Sequence, residues 1–254
     1  MTLPTMPSFR VDGRRALVTG ASRGIGLAAA AALAEAGAEV TLTARSAGET
    51  EAVAAAIRER GGKASAAVLD VTDLEAVKAF IASEAPFQIL VSSAGGAKHQ
   101  PVLEVTPDAY DFTQTLNTRS AFFVAQQVAD KLVQAGLPGS LMTVSSQMGH
   151  IGGPSRAAYC ASKHAIEGFT KAMALELGRY GIRVNTVCPT FIRTPLTEPM
   201  LSKPDFLTWV LDNIALGKVG EIEDLMGPVV FLASDASALV TGTALMVDGG
   251  WTAR

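Results

Sequence analysis

The chain has 254 residues, of which 48% are hydrophobic and 18% charged, which excludes a disordered or fibrous protein and provides ample material for a core. The formal net charge of −3 offers no electrostatic basis for binding nucleic acid or an anionic membrane surface, and we expect neither partner. At this length we expect a single domain over residues 1–254.

Short β-rich runs alternate with segments of helical periodicity along the whole chain. Because this alternation is typical of strands joined by helical crossovers, it predicts an α/β fold, a doubly wound parallel seven-stranded sheet with helices on both faces. The predicted strands span residues 15–19, 39–43, 65–69, 88–92, 140–145, 182–188 and 244–247.

Helices are predicted between these strands from their start and stop residues. Thr72 and Glu75 stand in capping-box spacing at the start of the third helix, and Gly37 and Gly181 follow the ends of two others. Two prolines, Pro204 and Pro228, interrupt or restart the helices near the C-terminus. The predicted helices span residues 25–36, 49–60, 73–84, 107–135, 157–179, 199–213 and 221–234.

The N-terminal segment carries prolines where a signal peptide needs an apolar run, and the chain has no stretch of about 18 consecutive apolar residues. Two cysteines, Cys160 and Cys188, are too few for a disulfide framework and fit a reducing compartment. We therefore expect a cytoplasmic protein with free thiols.

A glycine-rich turn, TGASRGIG over residues 19–26, joins the first predicted strand to an alanine-rich helix. Gly20, Gly24 and Gly26 allow a tight turn and a close approach to a pyrophosphate, whose charge meets free N–H groups at the helix N-terminus. A plain β–α turn is the alternative. The order of strand, turn and helix favours a dinucleotide site.

Tyr159 and Lys163 are four residues apart on one predicted helix and therefore share a face. The ammonium group can favour the ionised phenol, and lowering the phenol pKa by ~2 units requires about 2.7 kcal/mol. Tyr159 then becomes a candidate acid–base group, the alternative being a surface tyrosine with its hydroxyl in water.

The turn T-G-x-x-x-G-x-G, the motif Y-x-x-x-K at Tyr159 and Lys163, and Ser146 thirteen residues before the tyrosine together resemble the short-chain dehydrogenase/reductase family over essentially the whole chain. The resemblance implies a Rossmann-type fold and four catalytic residues, Asn117, Ser146, Tyr159 and Lys163. Ser146 would bind the substrate oxygen, and Asn117 would hold a water that links Lys163 to solvent. Because neighbouring strand residues point to opposite faces, only one of Ser145 and Ser146 is expected to face the cleft, and the family's spacing selects Ser146.

The cofactor is implied by the residue after the second strand. NAD enzymes of this architecture place an acidic residue there, whereas this chain has Ala44 followed by Arg45. The resemblance places Arg23 and Arg45 around a 2′-phosphate, which favours NADP(H) with NAD(H) as an alternative; two solvated arginines are the other interpretation. Asp70 resembles the residue that contacts adenine, or else it caps a turn. The full implied set of cofactor-binding residues is Gly20, Ser22, Arg23, Gly24, Ile25, Gly26, Arg45, Ser46, Asp70, Val71, Ala94, Gly95, Tyr159, Lys163, Pro189, Ile192 and Thr194.

Two positions depart from the family pattern. Ser93 replaces an asparagine in the loop after the fourth strand, and Thr190 replaces a glycine after the sixth, so Thr190 must avoid a positive φ or be strained. The three histidines show no metal-ligand spacing, and we expect no catalytic metal. Candidate substrate contacts, with solvated loop residues as the alternative, are Lys98, His99, His150 and Arg156.

These residues predict an NADP(H)-dependent oxidoreductase that interconverts a carbonyl and a secondary alcohol by a Tyr-Lys-Ser-Asn mechanism. The C-terminal stretch resembles the gluconate 5-dehydrogenase, polyol and keto-sugar branch of the family, which implies a small polyol, keto-sugar or related ketone as substrate. The alternatives are a 3-oxoacyl-carrier-protein reductase and a non-catalytic nucleotide-sensing binding protein. A homotetramer is expected from the resemblance and from apolar side chains on two long helices, namely Phe122, Phe123, Ala165 and Phe169.

Overall fold

Seven parallel strands form one sheet in a computed structural model of the protein, which describes residues 1–253. Their order is β3-β2-β1-β4-β5-β6-β7, so the predicted doubly wound sheet is confirmed. The order reverses between β1 and β4, which is where this architecture opens a crevice at the carboxyl ends of its strands. The strands are β1 (Arg15–Thr19), β2 (Glu39–Ala44), β3 (Lys63–Val68), β4 (Ile89–Ser92), β5 (Gly139–Val144), β6 (Ile182–Pro189) and β7 (Ala244–Val247).

Helices cover both faces of this sheet. One apolar cluster joins the sheet to α1, α2 and α9, and a second joins it to α3, α5 and α6. Leu33 and Leu132 mark the two layers, and both are completely buried. The helices are α1 (Gly24–Glu35), α2 (Ala47–Glu59), α3 (Leu74–Ser83), α4 (Pro107–Gln114), α5 (Ser120–Ala135), α6 (Ala157–Leu177), α7 (Glu198–Leu201), α8 (Pro204–Asn213) and α9 (Met226–Ala233).

Several predicted helix ends were wrong. The start of α3 is capped by Asp73, whose carboxylate accepts from the Ala76 N–H over 3.0 Å, because the Thr72 hydroxyl donates to Asp70 instead. The predicted 107–135 helix is two helices joined by a π-helical turn, Thr115–Arg119. Within the predicted 199–213 stretch, the restart expected at Pro204 is confirmed, since α8 begins there and proline fits a first helical turn.

Among the residues that the structure describes, no helix combines the length and the apolar character needed to cross a membrane.

Candidate active site

A cleft of about 600 Å³ opens at the carboxyl ends of the strands, where the strand order reverses. The loops after the first six strands line it. All seventeen residues implied as cofactor contacts by the resemblance are among its lining residues, and so are Ser146, His99 and Arg156. Asn117, Lys98 and His150 are not, so the last two do not take the place in the cleft that was expected of substrate contacts.

The glycine turn is packed too closely for side chains at two of its positions. A Cβ atom on Gly20, whose φ is +65°, would lie 2.8 Å from the backbone of Ala94, and one on Gly26 would lie 2.2 Å from the Gly20 carbonyl oxygen. The Thr19 hydroxyl accepts the N–H groups of Ser93 and Ala94 at 3.2 and 3.4 Å. The departure at Ser93 therefore leaves its loop anchored, because the anchor is made by the backbone.

At one end of the cleft, basic side chains lie where the resemblance places the adenosine. Arg23 and Arg45 are exposed lining residues, and Ser46 caps α2 without using its side chain on the helix. The Asp70 carboxylate accepts both the N–H and the hydroxyl of Thr72, which hold its pKa below the usual range, and the charge of Arg45 acts in the same direction. Both bonds end on Oδ1, so the turn-capping role and a ligand contact through Oδ2 are compatible.

Three buried oxygens from residues that line the cleft fit a polar ligand. The hydroxyls of Ser145 and Thr190 and the Gln147 side-chain carbonyl are buried and have no hydrogen-bond partner among residues 1–253. Buried polar atoms are normally satisfied, so such atoms in a cleft indicate a site for a polar group from outside the chain. A nicotinamide dinucleotide, with its amide, hydroxyl and phosphate groups, fits this lining. The φ angle of Thr190 is not positive, so threonine replaces glycine there without backbone strain.

Three side chains that carry the expected chemistry come together from two elements. Ser146 follows β5, and its Oγ accepts the Met148 N–H over 3.1 Å, which leaves the hydroxyl hydrogen to donate elsewhere. Tyr159 and Lys163 lie one turn apart on α6, with the Lys163 Nζ 5.6 Å from the centre of the Tyr159 ring. The Nζ also donates to the Val144 carbonyl over 2.8 Å.

Burial controls the ionisation of these groups. It raises the pKa of the Tyr159 phenol above its ordinary value of 10, although the hydrogen bond with Ser146 and the charge of Arg156 act in the opposite direction. It also lowers the pKa of Lys163 to about 8, against the opposing effects of Cys188 and Glu167. The expected lowering of the phenol pKa by Lys163 is therefore not found in this structure, where burial raises that pKa and the groups that oppose the rise are Ser146 and Arg156.

Asn117 lies just behind the cleft, in the π-helical turn. Its side chain is 1% exposed; Oδ1 accepts the Gly96 N–H over 2.9 Å, and Nδ2 donates to the Ser162 hydroxyl over 3.0 Å. It thus joins the loop after β4 to α6 beside Lys163. Single π-helical turns are frequent at functional sites.

Strand alternation was the wrong basis for separating the two serines, because β5 ends at Val144 and both serines follow it. Both border the cleft. A Cβ on Gly149 would lie 3.1 Å from both the Ser145 hydroxyl and the side chain of Glu167, so both side chains pack against Gly149.

His150 belongs to a polar cluster outside the cleft lining. Its Nε2 lies 3.6 Å from Glu167 and 3.7 Å from the Cys188 sulfur, and the thiol and the Thr186 hydroxyl donate to the two oxygens of Glu167. Burial raises the pKa of Cys188 to about 12, so it is a thiol. The three potential ligand atoms lie within 4.8 Å of one another, a grouping hidden from sequence spacing because they come from three segments. That no metal is used in catalysis stays a prediction.

An aromatic cluster beside the catalytic side chains was not predicted. The Phe191 ring lies within 5.4 to 6.1 Å of the rings of Phe206, Trp209 and Trp251, which come from α8 and the C-terminal end. Arg156 lies over Phe191 and Phe206. In the sequence, this aromatic cluster was indicated only by the position of both tryptophans in the last fifth of the chain.

Comparison with known proteins gives consistent matches over the whole chain. A family model described as Enoyl-(Acyl carrier protein) reductase matches residues 20–252. A D-erythrulose reductase from Gallus gallus is 41% identical over 245 residues, covering 96% of this chain and 98% of the relative. A gluconate 5-dehydrogenase from Gluconobacter oxydans (strain 621H) is 39% identical, covering 96% of each chain. The structure of a gluconate 5-dehydrogenase from Burkholderia cenocepacia J2315 in complex with NADP and tartrate superposes with a TM-score of 0.93 at 36% identity, covering 97% of this chain and 98% of that one.

Proposed function

The chain belongs to the short-chain dehydrogenase/reductase family, and we propose that it is an NADP(H)-dependent oxidoreductase that interconverts a carbonyl and a secondary alcohol on a small polyol, keto-sugar or related ketone. One observation carries the proposal: Ser146, Tyr159 and Lys163 line the same cleft as the glycine turn. The reacting groups and the nucleotide-binding loop are thereby within one cavity. The names of the relatives, a D-erythrulose reductase and a gluconate 5-dehydrogenase, support the substrate class.

Each side chain has a role that its contacts support. A nicotinamide dinucleotide held by the glycine turn would supply the hydride for reduction and accept it in oxidation. Ser146 Oγ accepts the Met148 N–H, so its hydroxyl hydrogen, which otherwise bonds the Tyr159 oxygen, donates to the substrate oxygen and orients the carbonyl. Tyr159, whose phenol is protonated at neutral pH and is held so by burial, gives its proton to that oxygen in reduction and takes it back in oxidation.

Lys163 positions the phenol and restores its proton. Because its pKa is about 8, the ammonium group is charged at pH 7 and can still release a proton close to neutrality. Asn117 donates to the hydroxyl of Ser162, the residue directly before Lys163, and so supports α6 beside this lysine. In this proposal it also holds the water that connects Lys163 to solvent.

The choice of NADP(H) rests on Arg23 and Arg45. Both border the cleft, and Ala44 offers no carboxylate to hold a free ribose 2′-hydroxyl. Charge-assisted contacts from arginine suit a 2′-phosphate. The NADP bound in the structure of the Burkholderia cenocepacia relative supports the same choice.

We further propose a homotetramer that works in the cytoplasm. The assembly is supported by an apolar surface on α5 and α6, where Phe122 contacts Phe123 and Phe169 edge-on at 5.2 and 5.6 Å. Ala165 and Leu175 are exposed on α6, and exposed apolar surface of this kind is typical of an interface. Light scattering at micromolar concentration should give the mass of four subunits, and the mass of one subunit would refute the assembly.

The function is tested by following NADPH and NADH spectroscopically in both directions with sugar acids, polyols, keto-sugars, cyclic ketones and short 3-oxoacyl thioesters. We expect turnover with at least one polyol or keto-sugar compound and loss of that turnover in Tyr159→Phe. A preference for the thioesters would favour a carrier-protein reductase. No turnover with any compound, despite nucleotide binding, would leave only a nucleotide-binding role.

A further inference from the structure

Arg156 is a buried cation that faces the cleft without an acidic partner. The residue is 7% exposed, lines the cleft, and caps the start of α6 three residues before Tyr159. Arginine is rarely buried unless it is paired. Its polar contacts among residues 1–253 are a His99 ring nitrogen at 2.7 Å and the Met200 sulfur at 3.8 Å, and neither is a carboxylate.

His99 does not neutralise this charge. Partial desolvation and the neighbouring Arg156 lower the pKa of His99 to about 4, so the ring is neutral at physiological pH and accepts a hydrogen bond from the guanidinium. The ring also packs edge-on against Tyr159, with ring centres 5.5 Å apart. His99 therefore holds Arg156 beside the reacting phenol and leaves its positive charge uncompensated.

Aromatic side chains fix the guanidinium further. Its central carbon lies 5.3 Å from the centre of the Phe191 ring and 5.9 Å from that of Phe206. A guanidinium has five N–H donors in a planar fork, and only one of them makes a strong bond here. The remaining donors match the bidentate geometry that a carboxylate accepts.

Position and charge select the ligand. Arg156 and Tyr159 are three residues apart at the start of α6, about 4.5 Å along the helix axis at the usual rise per residue, so one small molecule can contact both. A carboxylate has one negative charge, which one arginine balances. A phosphate carries nearly two charges, which a single arginine among aromatic rings would leave uncompensated.

We propose that Arg156 binds the carboxylate of the substrate, so that this enzyme prefers sugar acids, the hydroxy and keto monocarboxylates, over neutral polyols and keto-sugars. The inference rests on the proposed function and narrows its substrate class. Arg156 is then a specificity-determining residue, with His99 as its positioning residue.

The test compares matched substrates that differ only at one terminal carbon, which is a carboxylate in the acid and a hydroxymethyl group in its neutral partner. D-Gluconate and sorbitol are oxidised with NADP⁺, and 5-keto-D-gluconate and L-sorbose are reduced with NADPH. A charge-assisted contact predicts that kcat/KM for each acid exceeds that for its neutral partner by roughly tenfold to a hundredfold. Arg156→Gln should remove this advantage by raising KM for the acids, so that the ratio of kcat/KM for acid and neutral partner falls to about one. Because the charge of Arg156 also lowers the phenol pKa, any loss of kcat in oxidation should be the same for both partners, and NADPH affinity should not change.

Arg179→Gln is the matched control, because Arg179 makes the same kind of contact, 4.8 Å over the Tyr180 ring, beyond the far end of α6 and outside the cleft lining. Arg156→Lys keeps the positive charge without the planar fork of donors. Its preference for the acids, measured as the ratio of kcat/KM, should fall between those of Arg156→Gln and wild type. Should Arg156→Gln not fold, calorimetric titration of the wild-type NADP⁺ complex replaces it, with D-gluconate expected to bind at least tenfold more tightly than sorbitol.

The outcomes separate the two proposals. Neutral compounds that are turned over or bound as well as the acids, or an equal loss for both in Arg156→Gln, would overturn the inference and leave the oxidoreductase proposal standing. Selective binding of the acid without turnover of any compound would support Arg156 as a carboxylate site and refute the proposed activity.

Discussion

The Nζ of Lys163 donates a 2.8 Å hydrogen bond to the carbonyl oxygen of Val144, the last residue of β5. This bond joins the helix that carries Tyr159 to the strand that leads into Ser146. It also holds an ammonium group that is almost completely out of water, since Lys163 is 6% exposed. The same lysine therefore fixes the relative position of two reacting side chains and carries a charge whose burial opposes folding.

Removing that charge should abolish activity without loss of stability. The pKa of Lys163 is about 8 in the folded protein and 10.5 in the unfolded chain, so burial of its charge lowers the free energy of unfolding at pH 7 by about 3 kcal/mol. The hydrogen bond to Val144 offsets part of this loss. This unfavourable contribution is fully present below pH 8 and disappears as the pH rises toward 10.5. We expect Lys163→Met to melt no lower than wild type at pH 7 in thermal shifts of the cofactor-free protein.

The advantage of Lys163→Met should shrink between pH 8 and 10. The control is Lys171→Met, an exposed lysine on the same helix, which should change melting little at any pH. A variant that melts much lower than wild type at pH 7 would show that the tether to Val144 outweighs the buried charge.

Tyr159→Phe should lower kcat by about 10²–10⁴-fold, because it removes the transferable proton and leaves the cleft's shape unchanged. Affinity for NADPH, measured by fluorescence titration, should stay within roughly twofold of wild type. Tyr180→Phe is the control, since Tyr180 is an exposed residue after α6. A Tyr159→Phe variant that keeps more than about a hundredth of wild-type kcat would refute the acid–base role.

The direction of the phenol's pKa shift also predicts a pH profile. Carbonyl reduction needs the protonated phenol and should be insensitive to pH near neutrality. Alcohol oxidation needs the ionised form, so its rate should rise with pH across the neutral and alkaline range. Initial rates in both directions between pH 6 and about 10 test this, and an oxidation rate that falls over that range would contradict it.

Cofactor preference should depend on the arginines at the adenosine end of the cleft. A charge-assisted hydrogen bond contributes about 1.5–3 kcal/mol, so loss of Arg45 or Arg23 should raise KM for NADPH roughly tenfold or more and leave KM for NADH almost unchanged. Ala44→Asp combined with Arg45→Ala should move the preference toward NADH. Arg60→Ala, an exposed arginine outside the cleft lining, is the control. Equal effects of Arg45→Ala on both cofactors would show that this side chain does not contact the phosphate.

Gly20→Ala should weaken nucleotide binding and lower the melting temperature, because its Cβ would meet the backbone of Ala94 at 2.8 Å and its φ of +65° strains any L-residue. Gly48→Ala is the matched control, since a Cβ there meets nothing within 4 Å and lies in the first turn of α2. We expect thermal shifts to separate the two variants clearly, with Gly48→Ala neutral or slightly stabilising. Equal melting of both would contradict the close packing at Gly20.

The features that could be predicted from the sequence are local ones. Seven strands follow from the alternation of short apolar runs with helical segments, and the glycine turn follows from the order of strand, turn and helix. The shared face of Tyr159 and Lys163 follows from helical periodicity alone. Such features depend on neighbours a few residues away, so composition and spacing are enough to specify them.

Tertiary packing decided the rest. Arg156, His99, Phe191 and Phe206 come from four separate segments, and the members of the cluster around Glu167 come from three, so spacing shows neither group. The direction of the Tyr159 shift was also beyond the sequence. It is the balance between burial by distant segments and nearby charges, and helical spacing reports only the nearby lysine. Two helix details also escaped the sequence. Spacing does not show that the Thr72 hydroxyl bonds Asp70, and Asn117, in the π-helical turn, bonds Gly96, which is distant along the chain.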